Sequence, residues 1–373
     1  GPILIFDKST LQSLSIDESV WLENYFLNNI VPLFYVETLA DLSLGNGHDG
    51  RKIEVIIKEL ADKTPINGSA PNVHHQRLIV GSLLGKSVEM KGRIIVAGGL
   101  GKITPDGKVG IHYDTPPEVQ AMNRWQKGEF TELEREFARD WRQALSSLSF
   151  DALIALVKNI VPQGTKFSSP ADVKRFLDDF VKGDYAQFIH FALEVLSIPE
   201  KGRPDIVKRW SETRPMPFNE FAPYAAYVLK VDLFFYLCMM LGFESKDRPS
   251  HKIDLAYLYY LPFCHAFVSN DKLHARIAPL FMEQGQMFIK GDDLKSGFKQ
   301  IDEHFSKLPD DVKDRGVMAF ATYPPKGIET AVHQAWDKFC SAWKKHSKER
   351  EENNTGLPSD PELLKHLNEV KEK

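Results

Sequence analysis

The stretch CHAFVSNDKLHARI, residues 264–277, runs from an apolar segment directly into polar residues. Its apolar part predicts a buried strand that ends at Ser269, and Asp271 follows just before a helical pattern begins. The stretch ILIFDKSTL, residues 3–11, repeats this arrangement, with a short apolar run that ends immediately before Asp7. In an open parallel sheet, ligands gather beyond the carboxyl ends of the strands. Two strands that each lead into an aspartate therefore predict a parallel sheet with a polar site at one edge.

The segments around these two strands alternate in the same way. Ser15, with Glu18 three residues later, predicts a capped helix after the first strand. VPLFY, residues 31–35, predicts a short strand that leads into a helix, and the region after residue 223 predicts helix, helix, strand, helix, strand and helix. The predicted fold is therefore α/β, a parallel sheet flanked by helices and interrupted by a mainly helical insertion with a small β-hairpin region.

The insertion divides the chain into four predicted segments. Its first part is rich in Gly, Pro and Asn and predicts hairpin strands around a turn at residues 105–107, whereas its remainder is mainly helical. The predicted segments are the first part of the α/β domain, residues 1–45; the insertion, residues 46–222; the second part of the domain, residues 223–308; and a C-terminal helix with a polar tail, residues 309–373.

Composition excludes several classes of protein. The 373 residues carry a formal charge of −4 and 3 cysteines that are far apart, which argues against a disulfide framework and a thiolate zinc site. The longest apolar stretch, residues 224–243, contains Lys230 and Asp232, so it predicts a buried helix rather than a membrane span. We expect a cytoplasmic protein that does not bind membranes. Since the chain has no overall basic excess, a polyanion would need a local basic patch or a metal site.

Four carboxylates from four segments are predicted to meet at the edge of the sheet. Asp7 and Asp271 follow strands, Glu37 lies in an early helix, and Asp254 lies near the start of the helix that precedes the strand of residues 264–269. Converging carboxylates repel one another, and a divalent cation removes that cost. Oxygen ligands suit Mg²⁺ or Mn²⁺, which can activate a water and neutralise a scissile phosphate.

The order of these motifs resembles that of the PIN-domain nucleases. LIFDKSTL, PLFYVETLADL, IDLAYLYYLPFCHAFVSNDKL and MFIKGDDLKSGF are similar to that family's successive motifs, over the first and third predicted segments. The resemblance implies that Asp7, Glu37, Asp254 and Asp271 hold one or two Mg²⁺ or Mn²⁺ ions and hydrolyse a phosphodiester, most often in RNA. The long insertion between Glu37 and Asp254 departs from the compact family pattern, so the family's helices there are not carried over.

Each of these residues also has a purely structural interpretation. Asp7 and Asp271 can cap the helices that follow them, and Asp254 can serve as a first-turn acid favoured by the helix dipole. Asp41 shares the helix face of Glu37 and competes with it for the same role. Ser9 and Ser269 are expected to orient these acids or to cap backbone amides. Asp232 is either a further acid of the site, the buried partner of Lys230, or an acceptor for the amide of a neighbouring strand.

The residues predicted to contact a nucleic-acid substrate flank Asp271 or lie in the basic segment KGRPDIVKRWSETR. They are Asn270, Lys272, Arg203, Lys208 and Arg209, for which a solvated loop is the structural alternative. The resemblance to PIN-domain nucleases thus implies a metal-dependent nuclease, with RNA favoured over DNA and a defence or toxin-like role. The alternatives are a catalytically silent PIN-like scaffold whose helical insertion binds a protein partner, and a phosphatase-like hydrolase.

Overall fold

The structure is a computed structural model that describes residues 1–47, 49–64, 71–103, 109–146, 150–245 and 251–352. Its strands are β1 (Ile3–Phe6), β2 (Leu27–Asn28), β3 (Gly99–Ile103), β4 (Val109–Tyr113), β5 (Ala266–Ser269) and β6 (Met287–Lys290). The helices of the first half are α1 (Lys8–Ser13), α2 (Ile16–Tyr25), α3 (Pro32–Ala40), α4 (Ile53–Asp62), α5 (His75–Leu83), α6 (Pro117–Gln126), α7 (Glu132–Ser146), α8 (Asp151–Lys158) and α9 (Pro170–Phe180).

The second half of the chain continues mainly with helices. These are α10 (Phe188–Val195), α11 (Arg203–Thr213), α12 (Phe218–Phe221), α13 (Pro223–Met240), α14 (His251–Ala256), α15 (Lys272–Phe281), α16 (Gly291–Phe305), α17 (Asp310–Lys313), α18 (Val317–Phe320), α19 (Ala331–Phe339) and α20 (Trp343–Glu352). Three 3₁₀ segments accompany them: Asp41–Leu44, Glu200–Gly202 and Tyr257–Phe263.

A four-stranded parallel sheet with the order β2-β1-β5-β6 organises the fold. In its centre Leu4 pairs with Ala266 and Phe6 with Val268, and β5 continues onto β6 with Ser269 opposite Lys290. All residues of β1 and β5 are buried, as expected for central strands covered on both faces. The predicted α/β class and parallel sheet are thus confirmed, and β1 and β5 end side by side at the same edge.

One predicted strand is wrong. Residues 31–35 form the start of α3, with Val31 at the N-cap and Pro32 in the first turn, and the strand of this region is the two-residue β2. Proline has no amide hydrogen to donate to a sheet, whereas the first turn of a helix leaves that donor unused. The apolar run is buried as a helix face instead.

The longest apolar stretch forms α13, which is buried all round except for a few positions. By length and composition α13 is the only described helix that could cross a membrane, but 78 % of it is buried inside the protein. This is the behaviour of a core helix, as the charged residues within the stretch predict. The helices α5, α8, α9 and α12 pack around it.

The region predicted as a hairpin-rich insertion contains the antiparallel pair β3–β4, with Gly99 opposite Tyr113 and Ile103 opposite Val109. The predicted turn at residues 105–107 lies outside the described residues. Helices follow from α6 onward, as expected, but α4 and α5 already lie in the part that was predicted to be turns and hairpin strands, so that prediction is wrong there. The capping box at Ser15 and Glu18 is also present, because each side chain bonds the backbone amide of the other residue.

The chain divides into two compact units. The larger contains residues 3–13 and 28–291 and therefore includes the central strands and all four predicted acids. The smaller contains residues 1–2, 14–27 and 292–373, of which 353–373, the predicted polar tail, lie outside the described part. Within the smaller unit Trp21 stacks on Phe305, and the single predicted terminal helix is two helices, α19 and α20. Trp336 and Trp343 are buried there.

Candidate functional site: an acid cluster at the edge of the sheet

Asp7 lies at the carboxyl end of β1 and is 6 % exposed. Its Oδ1 accepts hydrogen bonds from the hydroxyl groups of Ser9 at 3.0 Å and Thr10 at 2.6 Å and from the amide of Thr10 at 2.8 Å. Its Oδ2 accepts one from the hydroxyl of Ser269 at 2.5 Å. Burial alone would raise the pKa of Asp7, but hydrogen bonds from His274, Ser269 and Thr10 lower it to about 2. Asp7 is therefore ionised at neutral pH.

His274 and Ser269 form a buried network behind Asp7. The imidazole Nε2 donates to the backbone carbonyl of Asp254 at 2.7 Å, and Nδ1 lies 2.8 Å from the hydroxyl oxygen of Ser269. Since Ser269 gives its one proton to ionised Asp7, Nδ1 must donate as well, so His274 carries both protons and a positive charge. Burial lowers the pKa of His274, but Asp7 and the Asp254 carbonyl outweigh it and the net shift is upward.

This network is not a nucleophilic triad. Ser269 is fully buried, donates its proton to Asp7 and also accepts from the amide of Asp271 at 2.9 Å. A serine nucleophile needs a neutral base that takes its proton and an open path to the substrate. The network instead fixes the geometry of the strand ends β1 and β5 relative to α15.

Glu37 projects from α3 into the same neighbourhood, where the hydroxyl of Tyr257 donates to its Oε2. Burial is the main reason that its pKa rises to about 7, and repulsion from Asp254 and Asp7 adds to the rise. The charge of Lys8 and the bond from Tyr257 oppose that rise. Glu37 is thus a carboxylate that resists ionisation near neutral pH.

Asp254 and Asp271 complete the cluster. The pKa of Asp254 is raised, first by burial and further by repulsion from Asp271 and Asp7, although His274 opposes the rise. Asp271 is the N-cap of α15, where its Oδ1 accepts from the amides of Leu273 at 2.5 Å and of His274 at 3.4 Å. The structural alternative for Asp271 is therefore realised, and its carboxylate still acts on Asp254.

Glu37 lies close enough to Asp254 and Asp7, and Asp254 close enough to Asp271 and Asp7, for their charges to interact, and we call Asp7, Glu37, Asp254 and Asp271 the acid cluster. Among the described residues, no three Asp, Glu, His or Cys side chains stand close enough together to hold an ion. Mg²⁺ in proteins is commonly held by one or two carboxylates and keeps several waters. The oxygen donors of the acid cluster, together with the raised pKa values of Glu37 and Asp254, fit this hydrated mode and not a shell of three or more direct side-chain ligands.

Three other residues that the sequence predicted for the site, Ser9, Asn270 and Lys272, are exposed at the protein surface. Ser9 is exposed and donates to Asp7, and Asn270 and Lys272 are exposed at the same strand end, next to Asp271. The side chain of Asn270 packs against Gly291. A Cβ atom at position 291 would come within 2.8 Å of the side-chain nitrogen of Asn270.

The predicted basic segment forms the helix α11 and the 3₁₀ segment Glu200–Gly202 that precedes it. Arg203 pairs with Glu194 at 3.0 Å and bonds the carbonyl of Ile198, whereas Lys208 is exposed. Arg209 donates to the carbonyls of Leu83 and Phe221 and lies 4.0 Å from the centre of the Phe221 ring. Two of these three cations therefore already bind the protein itself, and Lys208 is the one that faces solvent.

Three residues of the site were missed at the level of the sequence. Lys8 pairs with Asp41 at 2.8 Å, which removes Asp41 from competition with Glu37. Tyr257 belongs to an apolar and aromatic run that predicts only core packing. His274 had a detectable signal, since it lies three residues after Asp271, in the first turn of a predicted helix.

Comparison of the chain with protein-family models, with curated proteins and with solved structures finds no match.

Proposed function

We propose that the protein is a metal-dependent nuclease that hydrolyses phosphodiester bonds, with RNA as the favoured substrate. The observation that supports this most directly is the acid cluster, since Glu37 and Asp254 are half-buried carboxylates with raised pKa values. A divalent cation would relieve the repulsion that raises them. The order of the sequence motifs, which resembles that of PIN-domain nucleases, points to the same chemistry.

The residues of the acid cluster have different parts in this proposal. Glu37 and Asp254 would hold Mg²⁺ or Mn²⁺ directly, because they have the raised pKa values. Asp7, whose Oδ1 is filled by three donors, would contribute its fixed negative charge and Oδ2. The bound ion would supply an activated water and neutralise charge on the scissile phosphate. Tyr257 orients Glu37, and His274 and Ser269 keep Asp7 ionised.

Substrate would approach along the exposed strand ends. Asn270 and Lys272 flank Asp271 there and face solvent, so both suit contacts with the phosphate backbone. Because the protein as a whole is acidic, such contacts would be local. Affinity should therefore depend on salt less steeply than in a protein with a broad basic face.

A second candidate function is a silent scaffold that binds a protein partner through its helical insertion. The observation that favours it is the occupation of Asp7 and Asp271 by donors of the protein itself. In this case the cluster would be structural, and divalent cations would change neither stability nor the fate of RNA.

The deciding experiment is incubation of labelled RNA and DNA with the protein in Mn²⁺ and in EDTA. We expect Mn²⁺-dependent cleavage of RNA that is lost in Asp254→Asn and in Asp271→Asn, since both changes remove a carboxylate charge and asparagine at position 271 retains the cap of α15. Asp179→Asn is the matched control, because it makes the same chemical change at a residue of α9 that is 80 % exposed. Equal cleavage by wild type and Asp254→Asn would remove the acid cluster from the reaction, and no cleavage by wild type would favour the scaffold.

A further inference from the structure

Lys252, in α14, has its ammonium group enclosed by aromatic rings. It donates to Oδ1 of Asp232 and to the hydroxyl of Tyr259 at 3.0 Å, and Tyr259 donates to the same Oδ1. The ring centres of Phe235, Tyr236 and Tyr259 lie 5.9, 5.1 and 5.8 Å from the ammonium nitrogen. We call these five residues the lysine clamp. The partner of Asp232 is thus Lys252 and not Lys230, the partner that the sequence suggested.

The lysine clamp joins three elements. Asp232, Phe235 and Tyr236 belong to α13 and Tyr259 to the 3₁₀ segment Tyr257–Phe263, whereas Lys252 belongs to α14, which has six described residues. A helix this short is not stable by itself, so contacts with its neighbours set its position. All four partners of Lys252 are buried, which makes the clamp an internal anchor and not a solvent-screened surface pair.

A second anchor holds the other side of the same short helix. The backbone carbonyl of Asp254, two residues after Lys252, accepts the Nε2–H of His274 in α15 at 2.7 Å. The helix α14 is therefore fixed to α13 through Lys252 and to α15 through Asp254. These two contacts set the position of the Asp254 backbone, from which its carboxylate projects.

We propose that Lys252 is a positioning residue of the acid cluster: the lysine clamp holds α14 so that Asp254 reaches the His274 side of the site. Its effect on metal binding rests on the proposed function, but the placement of Asp254 can be tested without it. A lysine that served only stability would lower the melting temperature and leave the contact between His274 and Asp254 unchanged in the folded protein.

The contact between His274 and Asp254 supplies the readout. A buried imidazole N–H bonded to a carbonyl exchanges slowly with solvent and gives a separate proton resonance in ¹⁵N-histidine-labelled protein. We expect Lys252→Met to shift the Nε2–H resonance of His274 and to speed its exchange by about tenfold or more. Lys252→Arg, which keeps the charge inside the clamp, should restore most of the wild-type behaviour. The resonance is assigned by its absence in His274→Asn.

Lys230→Met is the matched control. Lys230 is also bound to an aspartate across a helix pair, with its ammonium nitrogen 2.8 Å from Asp178, and is similarly shielded, at 18 % side-chain exposure against 21 % for Lys252. It makes no contact with α14, so its loss should leave the His274 resonance unchanged. If Lys252→Met does not fold, Tyr259→Phe tests the same clamp, because it removes only the hydroxyl that bonds Asp232 and Lys252.

The outcomes separate the two proposals. A wild-type His274 resonance and exchange rate in folded Lys252→Met, or in Tyr259→Phe if the methionine variant is unfolded, would overturn the positioning role. Where wild type binds Mn²⁺, we expect Lys252→Met to weaken that affinity about 10- to 100-fold, the range typical of residues that orient metal ligands. If wild type binds no Mn²⁺, the nuclease proposal fails while the His274 resonance still decides the role of Lys252.

Discussion

Buried and half-buried carboxylates are treated differently in two regions of this protein. Around α13, each carboxylate has a lysine: Asp232 pairs with Lys252, and Asp178 lies within 2.8 Å of both Lys174 and Lys230. In the acid cluster, Glu37 and Asp254 form no ion pair with any residue in the described ranges, and the pKa of each is raised.

The difference separates structural acids from a candidate site. A buried carboxylate with a lysine partner is neutralised internally and has no need of an external cation. Glu37 and Asp254 lack such a partner and lie near the anionic Asp7. The charges of Lys8 and His274 oppose the rise in their pKa values without cancelling it, so an added cation would stabilise this region further. The four predictions below test this contrast, from the largest expected effect on stability to the smallest.

The largest effect is expected for Asp232→Ala in the region of paired acids. The change leaves the Lys252 ammonium group inside its aromatic enclosure without a counter-ion, which should cost about 3–5 kcal/mol of unfolding free energy. Urea unfolding at pH 7 measures it. The control Asp179→Ala breaks an exposed pair and should cost less than about 1 kcal/mol. A similar small loss for both variants would remove the contrast between the regions.

Asp7→Asn should also destabilise the protein, by about 2–3 kcal/mol near neutral pH. Both oxygens of Asp7 accept hydrogen bonds, and the NH₂ group of asparagine would face one set of these donors without being able to accept from them. The pKa of Asp7 falls from its ordinary value of 3.8 to about 2 on folding. Its charge therefore stabilises the fold above about pH 4, and this contribution is lost as the pH falls through about 2. Urea unfolding from pH 7 to pH 2 should show the gap between wild type and variant closing at the acid end; a constant gap would contradict the lowered pKa.

Glu37→Gln should stabilise the protein at high pH, whereas Asp7→Asn destabilises it. Since the pKa of Glu37 rises from 4.5 to about 7 on folding, wild type should lose stability as the pH rises from about 4.5 to about 7. Glutamine can still accept the hydrogen bond from Tyr257, so the variant should exceed wild type by on the order of 2 kcal/mol at pH 8. The two proteins should be equally stable near pH 4. A variant less stable than wild type at pH 8 would show that Glu37 is internally neutralised after all.

The smallest effect is expected at Asp271. Asparagine is as good an N-cap as aspartate, so Asp271→Asn should change stability by only a few tenths of a kcal/mol, whereas Asp271→Ala should cost about 1 kcal/mol. Thermal unfolding of the two variants measures the difference. Equal losses would mean that the charge of Asp271, and not its cap, stabilises α15.

The sequence predicted the parallel sheet because its central strands carry a strong local signal. Apolar runs that end in Asp7 and in Ser269 and Asp271 are compatible with few other arrangements, and the helices after them have caps and regular spacing. The strand at residues 31–35 failed because an apolar run of five residues fits either a buried strand or a helix face. Pro32 carried the correct signal, since it suits the first turn of a helix.

The details of the acid cluster depend on tertiary contacts that no local pattern contains. Tyr257 meets Glu37 across 220 positions of the chain, and Ser269 meets Asp7 across 262. The partner of Asp232 was equally hidden, because Lys230 is the nearer lysine in sequence. The positions of the predicted strand ends and helices led to the prediction that these acids lie at one edge of the sheet. Which of them the protein neutralises by itself could be seen only in the packed structure.

Thermal unfolding with and without Mn²⁺ tests most directly whether the unpaired acids form a cation site. We expect wild type and Asp179→Asn to be stabilised alike, by about 2.7 kcal/mol when free Mn²⁺ is 100 times its Kd. The double variant Glu37→Gln with Asp254→Asn should show no stabilisation. Equal stabilisation of all three proteins, or none in wild type, would contradict the account.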